Sequence, residues 1–104
     1  TAIELNQPDK KLVLFGAGKM AYNYMRAWGA KYPPAFFVDN NSEIWGTERF
    51  GSIVKAPEAI LEISPEERNV WICNMNYNPI GEQLRRMGIE YQCYWDHYYI
   101  IEGV

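Results

Sequence analysis

The stretch Leu12-Val13-Leu14-Phe15-Gly16-Ala17-Gly18-Lys19-Met20-Ala21, followed by Phe36-Phe37-Val38-Asp39-Asn40, most constrains what this chain can fold into. An apolar run of strand length enters Gly-x-Gly-x-x-Ala. A helical pattern follows, with Met20, Tyr24, Ala27 and Trp28 on one face, and stops at Gly29. Pro33-Pro34 then enforces an extended entry into a second apolar run, Ala35 to Val38, which ends in an acid. Strand, tight glycine turn, helix and second strand in this order make a βαβ unit.

Each residue type in the glycine turn has a physical task. Gly16 is expected to make the sharp exit from the first strand. Gly18 is expected to let backbone approach a bound group without a Cβ in the way, and Ala21 is small enough for close helix–strand packing. A helix opening at Gly18 directs N–H groups and a positive dipole end toward phosphate. Asp39 falls about 20 residues beyond the glycines, where a carboxylate accepts hydrogen bonds from a ribose hydroxyl. Together these residues read as a dinucleotide-binding fingerprint. The alternative is that the glycines only shape a strand-to-helix turn, because a fold does not carry its function with it. Gly-Ala-Gly-Lys is not a phosphate-binding P-loop, since it lacks the four-residue spacer and the following Ser or Thr.

The rest of the chain continues the alternation. Ser52 to Lys55 reads as a short third strand after breaks at Gly46 and Gly51. Pro57 opens a helix to about Ile63, and Ser64-Pro65-Glu66-Glu67 matches a capping box. A fourth strand covers about Asn69 to Cys73. Asn78-Pro79 reads as an N-cap with Pro in the first turn of a helix that runs to Met87, buries Ile80, Leu84 and Met87, and ends at Gly88. A fifth strand covers about Glu90 to Trp95. The expected class is α/β: a Rossmann-like three-layer α/β/α domain over residues 11–104, behind a polar lead-in at 1–10, with a parallel sheet of about five strands in the order 3-2-1-4-5. Ligands of such sheets bind beyond the carboxyl ends of the strands, at the switch between strands one and four. Here those ends carry Gly16-Ala17-Gly18, Asp39-Asn40-Asn41 and Asn74-Met75-Asn76-Tyr77. The cofactor-contact candidates are therefore Gly16, Ala17, Gly18, Lys19, Met20, Asp39, Asn40, Asn74 and Met75. Tyr77, Trp45 and Tyr94 are further candidates to flank a base or sugar, against a default of core packing.

No catalytic constellation emerges. His97 is the only histidine, no carboxylate pair has diagnostic spacing, and Cys73 and Cys93 make no metal-ligand pattern. They are expected as free thiols in a reducing cytoplasm unless their strands are neighbours. A net charge of −3 gives no electrostatic footprint for nucleic acid or an anionic membrane, and no apolar run is long enough to span one. Tyr91, Tyr94, Trp95, Tyr98 and Tyr99 exceed what so small a core needs, so a docking surface is expected, for a homodimer or a linked neighbour domain. The chain begins with Thr1 rather than Met, which suggests a piece of something longer.

Phe15-Gly16-Ala17-Gly18, Phe37-Val38-Asp39-Asn40-Asn41, Trp45-Gly46 and Ala56-Pro57-Glu58 resemble a family of small Rossmann-like domains attached to sugar-nucleotide and polysaccharide enzymes. These include the N-terminal domains of nucleoside-diphosphate-sugar epimerase/dehydratase proteins and of sugar O-acetyltransferases. The resemblance spans about residues 11 to 101. It implies NAD(P) or the nucleotide part of a UDP-sugar as ligand. In the first case Gly16, Gly18 and Asp39 contact phosphate and ribose; in the second Asp39 and Asn40 contact the nucleoside. NAD is preferred to NADP, because Asp39 repels a 2′-phosphate and no Arg follows in Asn40-Asn41-Ser42. The chain lacks a Tyr-x-x-x-Lys pair and a partnered base, so the leading expectation is a binding module from a protein of sugar-nucleotide or surface-polysaccharide metabolism. The alternatives are the cofactor half of an oxidoreductase or epimerase, and a ligand-free interaction domain.

Overall fold

The computed structural model describes residues 7–94. Six strands form one sheet: β1 (Lys11–Phe15), β2 (Phe36–Val38), β3 (Glu48–Arg49), β4 (Ser52–Lys55), β5 (Arg68–Ile72) and β6 (Gln92–Cys93), in the order β3-β4-β2-β1-β5-β6. The five strands expected from the sequence are parallel neighbours in the expected order. The sixth, β3, was not expected. It runs antiparallel to β4 through a two-residue turn at Phe50-Gly51, with Arg49 paired to Ser52.

The alternation of side chains across the central strands divides the core into two layers. Leu12, Leu14, Phe37, Val54, Trp71 and Cys73 face one side, under Met20, Ala21 and Tyr24 of α1 (Lys19–Tyr24). Val13, Phe15, Phe36, Val38, Val70 and Ile72 face the other, under Ile80 and Leu84 of α2 (Tyr77–Arg86) and Ile60 and Ile63 of the crossover. Because the central strands are buried on both faces, they read as continuous apolar runs rather than alternating ones.

The helical segments depart from expectation in three places. The first keeps α geometry only to Tyr24 and continues as a π-helix, Met25–Gly29. The wider turn advances the buried face by one residue, so Ala27 is exposed and Gly29 is buried instead. The crossover from β4 to β5 holds 3-10 turns, Pro57–Glu62 and Pro65–Glu67, rather than α-helix. Each turn begins at a proline, and Ile63 between them is extended, which leaves no room for an α ladder. The Ser64 hydroxyl donates to the Glu67 carboxylate at 2.9 Å instead of capping a backbone N–H. Finally, α2 starts at Tyr77 with Asn76 at its N-cap, not at Asn78-Pro79. Pro79 falls within the first turn, where an N–H has no intrahelical partner to lose. The expected stop holds: Gly88 has φ +74, and Ile89 N–H donates back to the Leu84 carbonyl at 2.9 Å.

Cys73 and Cys93 come from the ends of neighbouring strands, yet their side chains pack in opposite layers and the two form no disulfide. Burial pushes the Cys93 thiol up from its ordinary value. Tyr94, expected on an exposed docking surface, is buried at 5 % exposure with its ring edge-on to Tyr24. Trp95, Asp96, His97, Tyr98 and Tyr99 lie outside the described residues. Among the described residues, no helix is long and apolar enough to cross a membrane.

Candidate functional site

The carboxyl ends of β1, β2 and β5 meet at the glycine turn. Gly16 has φ +122, and a Cβ there would lie 2.5 Å from the Cys73 carbonyl oxygen. The turn is pinned on both sides, by Gly16 N–H to the Val38 carbonyl at 2.7 Å and by Cys73 N–H to the Phe15 carbonyl at 2.8 Å. Only glycine fits this crossing of three chain segments. Gly18 is a different case. Its φ is −105°, and nothing lies within 4 Å of where a Cβ would stand.

Asp39 holds the turn from the end of β2. Its Oδ2 accepts the Ala17 N–H at 3.1 Å and its Oδ1 accepts the Asn41 N–H at 2.8 Å. The Trp45 indole N–H donates to the Asp39 carbonyl at 2.6 Å, which draws the loop after β2 back over the acid. A carboxylate offers about four acceptor sites. Two of these are engaged by the backbone N–H groups of Ala17 and Asn41.

Two openings flank this turn. The larger, about 290 Å³, is lined by Phe15, Gly16, Asp39, Asn40, Asn74, Asn76, Pro79, Ile80 and Gln83. The smaller, about 160 Å³, is lined by Gly18, Lys19, Met20, Cys73, Asn74 and Met75. Asn74 belongs to both. Its Oδ1 accepts the Asn76 N–H at 2.8 Å, which turns the chain from β5 toward α2. The sequence-expected residues therefore divide: Gly16, Asp39, Asn40 and Asn74 border the large cleft, and Gly18, Lys19, Met20, Asn74 and Met75 border the small one. Ala17 lines neither. It is fully buried, with its N–H on Asp39 and its carbonyl accepting from Arg49 Nη1 at 3.1 Å. The Lys19 ammonium lies 5.9 Å from the Tyr22 ring centroid. Trp45 is 41 % exposed beside Asp39, whereas Tyr77 packs against the α2-side core and Tyr94 belongs to the other core layer.

Phe15, Pro79, Ile80 and Gln83 also line the large cleft and were missed as contacts, whereas Asn76 belongs to the polar strand end expected there. Pro79, Ile80 and Gln83 share one face of α2, and their spacing of three and four residues was readable once the helix start was placed correctly. Gln83 reaches across the cleft to Asn40. The two amides pair reciprocally, each donating to the other's oxygen at 2.9 Å. Arg49 was also missed, because only the unexpected β3–β4 hairpin brings it to the glycine turn. Among the described residues, no group of His, Cys, Asp or Glu could hold a metal ion.

No protein-family model matches the chain, and no curated protein matches it. Among solved structures, the fold is similar to that of UDP-D-quinovosamine 4-dehydrogenase from Vibrio fischeri, with a TM-score of 0.59 and 19 % identity over 91 % of this chain and 85 % of that one. At this identity the likeness extends to the fold: the chain has a Rossmann-like α/β architecture.

Proposed function

We propose that the chain is a nucleotide-binding module that takes NAD or the nucleotide part of a nucleotide-sugar, within a protein of sugar-nucleotide metabolism. The observation that carries this reading is the meeting of three polar strand ends around one carboxylate. Asp39 is fixed by two backbone N–H groups and keeps acceptor capacity facing a cleft of about 290 Å³. That volume falls just below the usual range for small-molecule sites, roughly 300–1,000 Å³. It suits one nucleoside rather than a whole dinucleotide.

A ligand of two halves joined by a pyrophosphate fits the pair of openings. Its nucleoside occupies the large cleft with ribose hydroxyls on Asp39. Its phosphates cross the open face of Gly18, and the remainder reaches the small opening beside Lys19, Met20 and Met75. The fold of UDP-D-quinovosamine 4-dehydrogenase supports the sugar-nucleotide setting. Asp39 favours NAD over NADP, since a 2′-phosphate would meet its carboxylate.

Thermal unfolding with NAD, NADP, UDP and a UDP-sugar tests the reading. A ligand at 100 times its dissociation constant stabilises the fold by about 2.7 kcal/mol. For a domain of this size that raises the unfolding temperature by ~10 °C or more. No shift with any of the four refutes it in favour of an interaction domain.

A further inference from the structure

We propose that Asn40 and Gln83 read the edge of the nucleobase, and that their mutual amide pair is the closed state of a base-recognition site. This rests on the nucleotide-binding reading above and names what the large cleft discriminates. The two amides come from the end of β2 and the middle of α2, 43 residues apart, and meet only across the cleft they both line. Each donates to and accepts from the other at 2.9 Å. Both hydrogen bonds are solvent-exposed, so water compensates their opening and the pair adds little to the fold.

The chemistry of the pair points to its ligand. A primary amide sets an acceptor oxygen beside a donor N–H. The lactam edge of uracil and the amino-and-ring-nitrogen edge of adenine carry the same adjacent donor and acceptor. Asn and Gln side chains pair bidentately with such edges. A base can therefore replace one amide against the other with no net loss of hydrogen bonds. Phe15, Pro79 and Ile80 supply apolar wall for the faces of a ring whose edge meets the amides. Asn40 directly follows Asp39, so an edge contact at Asn40 sits next to the carboxylate assigned to the ribose, in the order base then sugar.

The test is titration calorimetry with UMP, AMP, ribose 5-phosphate and two edge-blocked analogues, N3-methyl-UMP and 1,N6-etheno-AMP. The expected result is that UMP or AMP binds and its blocked analogue binds at least roughly tenfold more weakly. Which of the two binds identifies the base. Gln83→Leu and Asn40→Ala are expected to weaken that nucleotide by roughly tenfold to a hundredfold, the loss of one bidentate base contact. Both are expected to leave ribose 5-phosphate unchanged and to unfold at the wild-type temperature. Equal affinity for a nucleotide and its blocked analogue overturns the base reading alone, as does wild-type affinity in both variants or ribose 5-phosphate binding as tightly as the nucleotides. Absence of binding by all five compounds overturns the nucleotide-binding reading, and the base reading with it.

Discussion

The two glycines of the turn should fail in opposite ways when each becomes alanine. At Gly16 a methyl group would stand 2.5 Å from the Cys73 carbonyl oxygen, against an ordinary contact of 3.4 Å or more. The neighbour is backbone, fixed by the Cys73 N–H bond to the Phe15 carbonyl, so β1 and β5 must separate at their ends or the turn must change conformation. Alanine at φ +122 is itself strained. Left-handed strain and the clash together are expected to cost ~3 kcal/mol or more. That is a large part of the roughly 5–15 kcal/mol that holds a domain folded. With a urea slope near ~1.5 kcal/mol per molar, Gly16→Ala should lower the unfolding midpoint by ~2 M. Gly18→Ala meets no atom, and φ −105 is not left-handed, so it should lose far less stability than Gly16→Ala. Its methyl group should instead obstruct the phosphates and weaken nucleotide binding. Unfolding of Gly16→Ala at the wild-type midpoint, or an equal loss of stability in Gly18→Ala, would show that the two glycines do not differ in this way.

Other outcomes follow from the same geometry. Asp39→Ala strands the N–H of buried Ala17 and frees the Asn41 N–H, which should cost about 2 kcal/mol in chemical denaturation and abolish nucleotide binding. Arg49→Ala should loosen the glycine turn from its carbonyl side, seen as faster amide exchange at Gly16 and Ala17 with the sheet otherwise protected. Tyr24 is fully buried and donates to the Tyr32 carbonyl at 2.7 Å; burial pushes its phenol well above the ordinary value of about 10. A raised folded-state value means that its stabilisation is whole below pH about 10 and is lost as pH rises beyond it. Tyr24→Phe should therefore cost about 1 kcal/mol at neutral pH and show a shallower alkaline decline than wild type in pH-dependent urea melts. Cys73 and Cys93 should both remain titratable by a thiol reagent in unfolded protein after mild oxidation, because their layers keep them apart.

Much of this architecture is legible in the chain because it is local. The apolar runs at Leu12–Phe15 and Val70–Ile72 lie in strands buried on both faces, and the chain turns polar past the strand ends at Asp39 and Asn74 as the carboxyl edge requires. The glycines at 16 and 88 mark backbone that only glycine adopts easily. What escaped reading depends on distant partners or unusual backbone. The β3–β4 hairpin is hidden because Phe50 occupies its first central position at φ +52, where Asn, Asp or Gly would announce a type I′ turn. Phe50 is held there by ring contacts to Tyr22 and Phe37 that no local pattern reveals. With the hairpin hidden, Arg49 could not be placed at the glycine turn. The Asn40–Gln83 pair joins residues 43 apart and rests on the true N-cap of α2, Asn76, two residues before the Asn-Pro signal.

Whether the strand ends around Asp39 bind a nucleotide is decided by backbone amide NMR on titration with NAD and with UDP. One of them is expected to perturb the amides of Gly16, Gly18, Asp39, Asn40 and Asn74 along a saturable curve, with the β3–β4 hairpin tip and the far end of α2 unmoved. Saturable shifts confined to other surfaces, or none up to millimolar ligand, would contradict it.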